Sequence, residues 1–487
     1  MEEEPNVVFV SNRGPLSFID TGSGFEKKRG AGGLAGALDP VARRLGGRAV
    51  WIAAATSEGD RAAIRSGAAD DLAELLGYRV YLLDVEPETY SRYYNVVSNR
   101  MLWFANHCLW DELYIHGFGD DEIAAWHHAY EPVNKMFADA VCEAADPRSL
   151  VLFQDYHLST APGHLRAKRP EQLIFHFTHS SFCGVDGLNG LPQPIARLII
   201  QGMLGADLLG FHVAPWVHGF MDCAERLGAS VDPIEGSVEY RGRKTWVRGY
   251  PITVDGRDLL TRAASHPARE WARRFQRRSA DGPLVVRVDR TEPSKNIIRG
   301  FEAFGLLLDD RPELSGRAHF IACIYPSRQD MKEYRSYTAQ ISRTVDEINA
   351  RHPDSIDLYL EDDFDRTLGA YLVYDALLVN PLMDGMNLVS KEGPIVNERD
   401  GVLVLSKSAG SFEEMGEHAV PILDPLDVAG TAAALGDALD MPTAERSRRA
   451  LRARDAATRT TPEHWIESQL EDLVAIRDTG RPVSPAV

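Results

Sequence analysis

Arg290 and Lys295 stand five residues apart across the turn Arg290-Thr291-Glu292-Pro293-Ser294-Lys295. At that spacing both can reach one diphosphate, the guanidinium gripping bidentately and the ammonium acting as a mobile point charge. The same residues also suit a solvated turn in which Arg290 pairs with Glu292. A second stretch, Val379 to Glu392, reads V-N-P-L-M-D-G-M-N-L-V-S-K-E; it breaks at Pro381 and Gly385 and restarts as a helix near Leu388. Asn387 is placed to cap that helix, which leaves the amides of Leu388 and Val389 without intrahelical partners. Together with the helix dipole they form a seat for an anion such as a diphosphate. Asp384 precedes the seat and Glu392 follows it, two acceptors for sugar hydroxyls. Taken alone, a capped turn flanked by surface acids is the plainer reading of this feature.

Other polar groups follow short apolar runs. Asp155, in Gln154-Asp155-Tyr156-His157, could bind a hydroxyl, act as a base or cap a helix. His176 and His179 end the next run. Opposite strand faces separate them and no Cys or Asp completes a set, so His179 reads as a hydrogen-bonding site residue and His176 as packing. Glu361-Asp362-Asp363 reads as a solvated loop rather than a metal site. Tyr93, Tyr94, Trp103 and Trp110 lie in an aromatic stretch, mostly core, though an aromatic with a polar tip also suits a sugar phosphate. Arg328, in Tyr325-Pro326-Ser327-Arg328, can join Arg13 on a second, separate phosphate. One cation pair for a donor diphosphate and another for an acceptor phosphate is the pattern of a phosphosugar-accepting transferase.

The elements that must position these groups alternate between strand and helix. Strands are predicted at Val7–Val10, Ala49–Ala53, Arg79–Leu83, Leu150–Phe153, Leu173–Phe177 and Leu208–Phe211. After an extended connection, Arg248 to Asp255, a second series falls at Leu284–Val288, Ala318–Ile324, Ile356–Leu360, Ala376–Val379 and Val402–Leu405. Helices are predicted at Leu34–Leu45, Asp120–Ala144, Leu191–Leu204 and Pro462–Asp478, with Thr479 to Val487 frayed. Such alternation predicts an α/β fold of two doubly wound sheets facing across a cleft. Arg13, Asp155, His179, Arg290, Arg328 and Asp384 then all fall at carboxyl ends of strands, where ligands of these sheets bind. The loop Arg29-Gly30-Ala31-Gly32-Gly33 offers another phosphate cradle. Gly30, Gly32 and Gly36 miss the G-x-G-x-x-G spacing, which disfavours an NAD-dependent oxidoreductase.

At 487 residues the chain exceeds one core and divides naturally in two. A net charge of −18 argues against nucleic acid or an anionic membrane as partner, so any phosphate must be held by a local basic pocket. The five cysteines, at 108, 142, 183, 223 and 323, show no paired or metal-type spacing, as expected in a reducing cytoplasm. Met1 to Pro5 is acidic and lacks the pattern of a signal peptide, and no apolar run approaches the ~20 residues that span a bilayer. A soluble cytoplasmic protein is expected.

Several motifs in order now carry a resemblance: Ser11-Asn12-Arg13, Ala31-Gly32-Gly33-Leu34, Tyr93-Tyr94-Asn95 with Trp103, Gln154-Asp155-Tyr156-His157, Arg290 with Lys295, Pro326-Ser327-Arg328, and Asp384-Gly385-Met386-Asn387-Leu388-Val389 with Lys391-Glu392. From about Val7 to about Leu473 the chain resembles trehalose-6-phosphate synthases, retaining glycosyltransferases of the GT-B fold and of family GT20. The resemblance implies an acceptor-binding Rossmann-like domain over 1–250 and a nucleotide-sugar-binding one over 251–460. A C-terminal helix over 461–487 would pack back on the first. Arg290 and Lys295 would hold the diphosphate with the amides of Leu388 and Val389, and Gly33 would close over it. The run from Gly385 to Val389 would line the donor site, Glu392 would bind the ribose, and Asp384 and His179 the donor glucose. Arg13, Tyr94 and Arg328 would hold the acceptor phosphate, with Trp103 nearby, and Asp155 the acceptor sugar. No metal or other cofactor is implied, since Arg and Lys serve the leaving group. Catalysis would rest on Arg290, Lys295, His179 and Asp155 through positioning and electrostatics.

The departures are as specific. Gln154 stands where the family usually has histidine, although an actinobacterial branch shares the glutamine. Ser180-Ser181-Phe182-Cys183-Gly184 replaces a proline- and aromatic-rich turn, Met383 a common arginine, and Ala54 a site tryptophan. Gly393 to Asp400 is similar to related pseudoglycosyltransferases that make validoxylamine A phosphate. The expected reaction is transfer of glucose from GDP-glucose, favoured over UDP-glucose by branch, to glucose 6-phosphate. The alternatives are a cyclitol-handling transferase with another phosphorylated acceptor, or a non-catalytic homologue. Homo-oligomerisation is left open.

Overall fold

The computed structural model describes residues 6–29, 33–109, 118–279 and 282–487. The chain forms two compact units, Met1–Pro251 with Glu463–Val487, and Ile252–Pro462. The first contains β1 (Val7–Ser11), β2 (Leu16–Asp20), β3 (Phe25–Arg29), β4 (Ala49–Ala54), β5 (Arg79–Leu83), β6 (Leu150–Gln154), β7 (Leu173–Phe177), β8 (Leu208–Phe211), β9 (Ser230–Asp232), β10 (Ser237–Tyr240) and β11 (Arg243–Gly249). Nine of them form one sheet in the order β5-β4-β1-β6-β7-β8-β11-β10-β9. Strands β1, β4 and β6 are buried along their whole length, which is why they read as unbroken apolar runs. Val8 lies between Val50 and Val151 in register.

Several parts of this unit differ from expectation. β2 and β3 pair as a separate hairpin where no strand is predicted. Tertiary cover explains it: the Phe18 amide donates to buried Asp60 Oδ1 (2.7 Å), and Gly59 packs so closely that a Cβ there would lie 2.2 Å from the Phe18 carbonyl oxygen. Arg248 and Gly249, expected in a connection, complete β11, and β9 to β11 add an antiparallel edge. The predicted helix Asp120–Ala144 is present in three parts, with a π-helical turn at Trp126–Tyr130 just ahead of Pro132.

The C-terminal residues are not frayed. Asp472, fully buried on the helix Pro462–Thr479, accepts hydrogen bonds from the Tyr250 hydroxyl (2.5 Å) and from the amides of Val483 (2.7 Å) and Ser484 (2.8 Å). The Arg248 guanidinium, also buried, donates to the Ser484 carbonyl (2.8 Å). Fixed backbone partners hold the tail against β11.

The second unit is a six-stranded parallel sheet of β12 (Leu284–Arg290), β13 (His319–Tyr325), β14 (Ile356–Tyr359), β15 (Ala376–Val379), β16 (Val402–Ser406) and β17 (Val420–Ile422), ordered β14-β13-β12-β15-β16-β17. Successive side chains feed two cores. Leu284, Val286, Val288, Leu377, Val379 and Leu403 enter one, and Val285, Phe320, Ala376, Leu378 and Val402 the other. Strand order reverses between β1 and β6 in the first unit and between β12 and β15 in the second. The sheet geometry makes those strand ends the natural ligand sites. No helix among the described residues is long and apolar enough to cross a membrane.

Replacing Asp472 with Ala removes one acceptor from three donors at once. Chemical denaturation is expected to show a loss of about 1–3 kcal/mol, and limited proteolysis should release the tail.

Candidate active site

At the switch point of the second unit two turns meet. Arg287 lies in the middle of β12 with no solvent exposure. Its Nη1 donates to Asn380 Oδ1 (2.6 Å), its Nη2 donates to the Lys295 carbonyl, and its Nε is ion-paired with Asp289 Oδ2 at 2.8 Å. Asn296, at φ 57°, donates from its side chain to the carbonyls of Asn380 (3.1 Å) and Pro425 (2.6 Å). The Leu382 amide donates to the Ser294 carbonyl (2.7 Å). The turn after β12 is thereby fastened to the turn after β15.

That fastening sets Lys295 against Asp384, Nζ to Oδ2 at 2.5 Å, and Asn387 Nδ2 donates to the same oxygen (3.0 Å). Burial alone would lower the Lys295 ammonium, but the carboxylates of Asp384, Asp289 and Glu292 outweigh it, so the group is held above its usual range and charged. Asn387, at φ 71°, accepts the Ser390 amide on Oδ1 (3.1 Å). The helix that follows, Val389–Val396, takes its first backbone bonds on the Leu388 carbonyl, so the Leu388 and Val389 amides lie ahead of it. Met386 is buried and its carbonyl accepts the Ser411 amide (2.7 Å), while Gly410 packs against the Gly385 carbonyl too tightly for any Cβ. Glu392 accepts the Tyr371 hydroxyl (3.0 Å), and burial raises its carboxyl.

Glu292, buried, gives one oxygen to two cations: Arg290 Nη1 at 3.2 Å and Arg328 Nη1 at 3.6 Å. The pairing of Arg290 with Glu292 foreseen for a solvated turn is thus present, but on a buried acid. Arg328 is 14% exposed and also donates to the Tyr334 hydroxyl, whereas the Arg290 side chain is 57% exposed. Arg328 belongs to this second unit; Arg13 and Tyr94, grouped with it from sequence, belong to the first.

In the first unit Arg13 follows β1 and donates from Nη2 to the Tyr94 hydroxyl (3.0 Å). The Tyr94 ring runs parallel to Tyr90 and His157, centroids 5.7 Å from each. Trp103 is buried against Phe104 and His107. Gly33 opens the helix Gly33–Leu45, whereas Gly30 to Gly32 and Trp110 lie outside the described residues. Asp155 follows β6 at φ 73°, ψ 166°, a region natural only to glycine. Its Oδ1 accepts the His179 amide (3.1 Å) and its Oδ2 lies 3.6 Å from His157 Nδ1. Burial would raise this carboxyl, but His157 and His179 hold it well below the usual range. His179 Nε2 meets Gln154 Oε1 at 2.9 Å, and its ring lies 5.7 Å from that of Trp465. Burial pushes the imidazoles of His176 and His179 down to about 4. Asp363 caps the helix Phe364–Val373.

Sequence reasoning missed Arg287, Asn296, Asn380 and Trp465. The one signal available was Arg287 itself, a charge inside the apolar run of β12, which must be paired if the strand is buried.

A two-unit α/β chain with cation-bearing turns at its switch points is the architecture of GT-B glycosyltransferases, and the comparisons agree. Residues 5–475 match Glycosyltransferase family 20. Validamine 7-phosphate valienyltransferase of Streptomyces hygroscopicus subsp. jinggangensis is 32% identical over 441 residues, 87% of this chain and 85% of that protein. Trehalose-6-phosphate synthase of Mycobacterium sp. (strain KMS) is 30% identical over 497 residues, 99% and 97% of the two chains. A crystal structure of a UDP-forming alpha,alpha-trehalose-phosphate synthase of Burkholderia xenovorans, in complex with glucose-6-phosphate, superposes with TM-score 0.80 at 25% identity over 96% of this chain and 100% of that one. The chain belongs to glycosyltransferase family 20, and it is a glycosyltransferase of the GT-B fold.

Asp155→Gly and Asp155→Ala lose the same carboxylate but differ in what they ask of the backbone. The Gly variant is expected to be more stable than the Ala variant by about 1–2 kcal/mol in denaturant titration, the reverse of the order in a regular strand.

Proposed function

We propose that the enzyme moves glucose from a nucleoside diphosphate glucose to glucose 6-phosphate with retention, giving trehalose 6-phosphate. The observation that carries this reading is the pair of separate cationic turns, Arg290 and Lys295 ahead of the Leu388 amide in one unit and Arg13 with Tyr94 in the other. The mycobacterial synthase, aligned over nearly the whole chain, supports it. Arg290, Lys295 and the amides of Leu388 and Val389 hold the diphosphate, with Gly33 and the Gly385–Met386–Asn387 turn lining the donor. Asp384 takes a glucose hydroxyl and Glu392 the ribose. Arg13, Tyr94 and Arg328 hold the acceptor phosphate, Trp103 backs that site, Asp155 binds the acceptor sugar and His179 a hydroxyl of the transferred glucose. The charge that develops on the departing diphosphate is met by donors already in place, which is the source of the rate. The lean towards guanine gains no support from the Burkholderia enzyme, which is UDP-forming by name. Competition between UDP-glucose and GDP-glucose, with the released nucleotide measured, decides the base.

A second reading has its own support. The 32% identity to a valienyltransferase, with the stretch Gly393 to Asp400 that is similar to such enzymes, favours a cyclitol substrate at one of the two sites. A donor-by-acceptor screen with mass detection of product separates the two, and a glucosyl product from glucose 6-phosphate excludes the cyclitol reading.

Arg290→Ala is expected to lower kcat by a factor on the order of 10²–10³ with an unchanged melting temperature, because the side chain is mostly exposed and acts on the leaving group. Near-normal turnover would count against the assignment. Arg328→Ala should raise the acceptor KM far more than the donor KM. Equal changes would instead assign Arg328 to the diphosphate, together with Arg290, its neighbour across Glu292.

A further inference from the structure

Gln154 ends β6 opposite Phe177 of β7, fully buried. Its side-chain nitrogen has no partner, and its oxygen bonds the His179 ring (2.9 Å). A buried side-chain donor left unpaired is uncommon, and the one bond the amide does make is to the His179 ring. His179 is fixed at a second point, its backbone amide donating to Asp155 Oδ1 (3.1 Å), while Phe177 and Trp465 wall the ring at 4.6 and 5.7 Å between centroids. Nδ1 of His179 has no hydrogen-bond partner among the described residues.

We propose that Gln154 is the positioning residue of His179, holding it as the neutral tautomer with the proton on Nε2 so that Nδ1 is presented as an acceptor to a sugar hydroxyl. The inference rests on the transferase reading above and adds to it the protonation state and the ring atom that binds. An amide oxygen accepts only from a protonated nitrogen, so the bond to Gln154 and the acceptor role of Nδ1 are two sides of one tautomer. Burial favours the neutral ring, down to about 4, against the pull of Asp155. The other titratable groups facing the ring are His157 after β6, His176 on β7 and His212 beyond β8, whose Nε2 meets the His179 carbonyl (3.1 Å).

The sign of the pH effect follows. Below the lowered value the ring takes a second proton and Nδ1 can no longer accept the hydroxyl's proton, so the oriented acceptor contact is lost and activity is expected to fall at acid pH. Gln154→Glu replaces the amide with a carboxylate in the same position, and the pair then binds its proton at higher pH. The expected result is an acid limb of kcat/KM displaced upward by about 1–2 pH units relative to the wild type. An unmoved limb in a folded, active variant overturns the proposal. Ring nitrogen-15 resonances of the wild-type protein at pH 7 provide a readout without turnover: Nε2–H at His179 supports the proposal and Nδ1–H overturns it. Failure of the transferase reading is a different result, absence of sugar transfer by the wild-type enzyme.

Discussion

A guanidinium sealed inside a parallel sheet constrains everything at the second unit's switch point. Removing Arg287 from water costs several kcal/mol, and only a full set of partners makes that tolerable. Its partners are Asn380, the Lys295 carbonyl and Asp289, so satisfying the charge requires the chain after β12 and the chain after β15 to lie in one fixed relation. Asn296 adds a second clamp in the same direction through its bonds to Asn380 and Pro425. Lys295, Asp384 and Asn387 meet because this buried scaffold leaves them nowhere else to be. The charge chemistry at the surface is inherited from charge satisfaction beneath it.

Positive φ recurs at residues of both units singled out for the site. Asp155, Asn296, Arg328 and Asn387 all have positive φ, at 73°, 57°, 46° and 71°. Asn visits this region readily; Asp at ψ 166° and Arg do so only when the surroundings over-determine them. Asp155 is held by its amide to the Phe177 carbonyl (2.6 Å) and by the His179 amide on its carboxylate. Arg328 is held by Tyr334 and Glu292. Each strained residue therefore presents its side chain where a relaxed backbone would not, and none needs to reorganise when charge develops nearby.

How far the chain announces this differs from element to element. β5, β7, β8 and β15 have the bounds expected of them, because each is a short apolar run closed by a turn. The hairpin β2–β3 was illegible: Glu26-Lys27-Lys28-Arg29 carries no apolar alternation, and its order comes from Phe18 meeting Asp60 and Gly59. The tail was misjudged for a similar reason, since Ser484 and Val483 are ordered by one carboxylate on a helix rather than by their own propensity. Within the site, the cations could be placed at strand ends from sequence, but their carboxylate partners could not. Glu292 read as the local mate of Arg290 alone, and nothing in the spacing showed that it also faces Arg328. Trp465 touches His179 from the far end of the chain, a contact no local pattern encodes.

The paired state of the cations would let an acidic protein keep the anion site proposed above. With a net charge of −18 the long-range field repels phosphates, so attraction must be local and at short range. Lys295 and Arg328 are mostly buried against Asp384 and Glu292, which fixes both side chains without exposing a bare cation. Arg290 differs: it touches the same buried Glu292, yet more than half of its side chain meets solvent. A guanidinium anchored at one nitrogen retains further donors for a ligand's oxygens. The division of labour is then physical. The buried pairs fix the shape and sign of these turns, and under the proposed reaction the half-exposed Arg290 would supply the grip that follows charge onto a departing group.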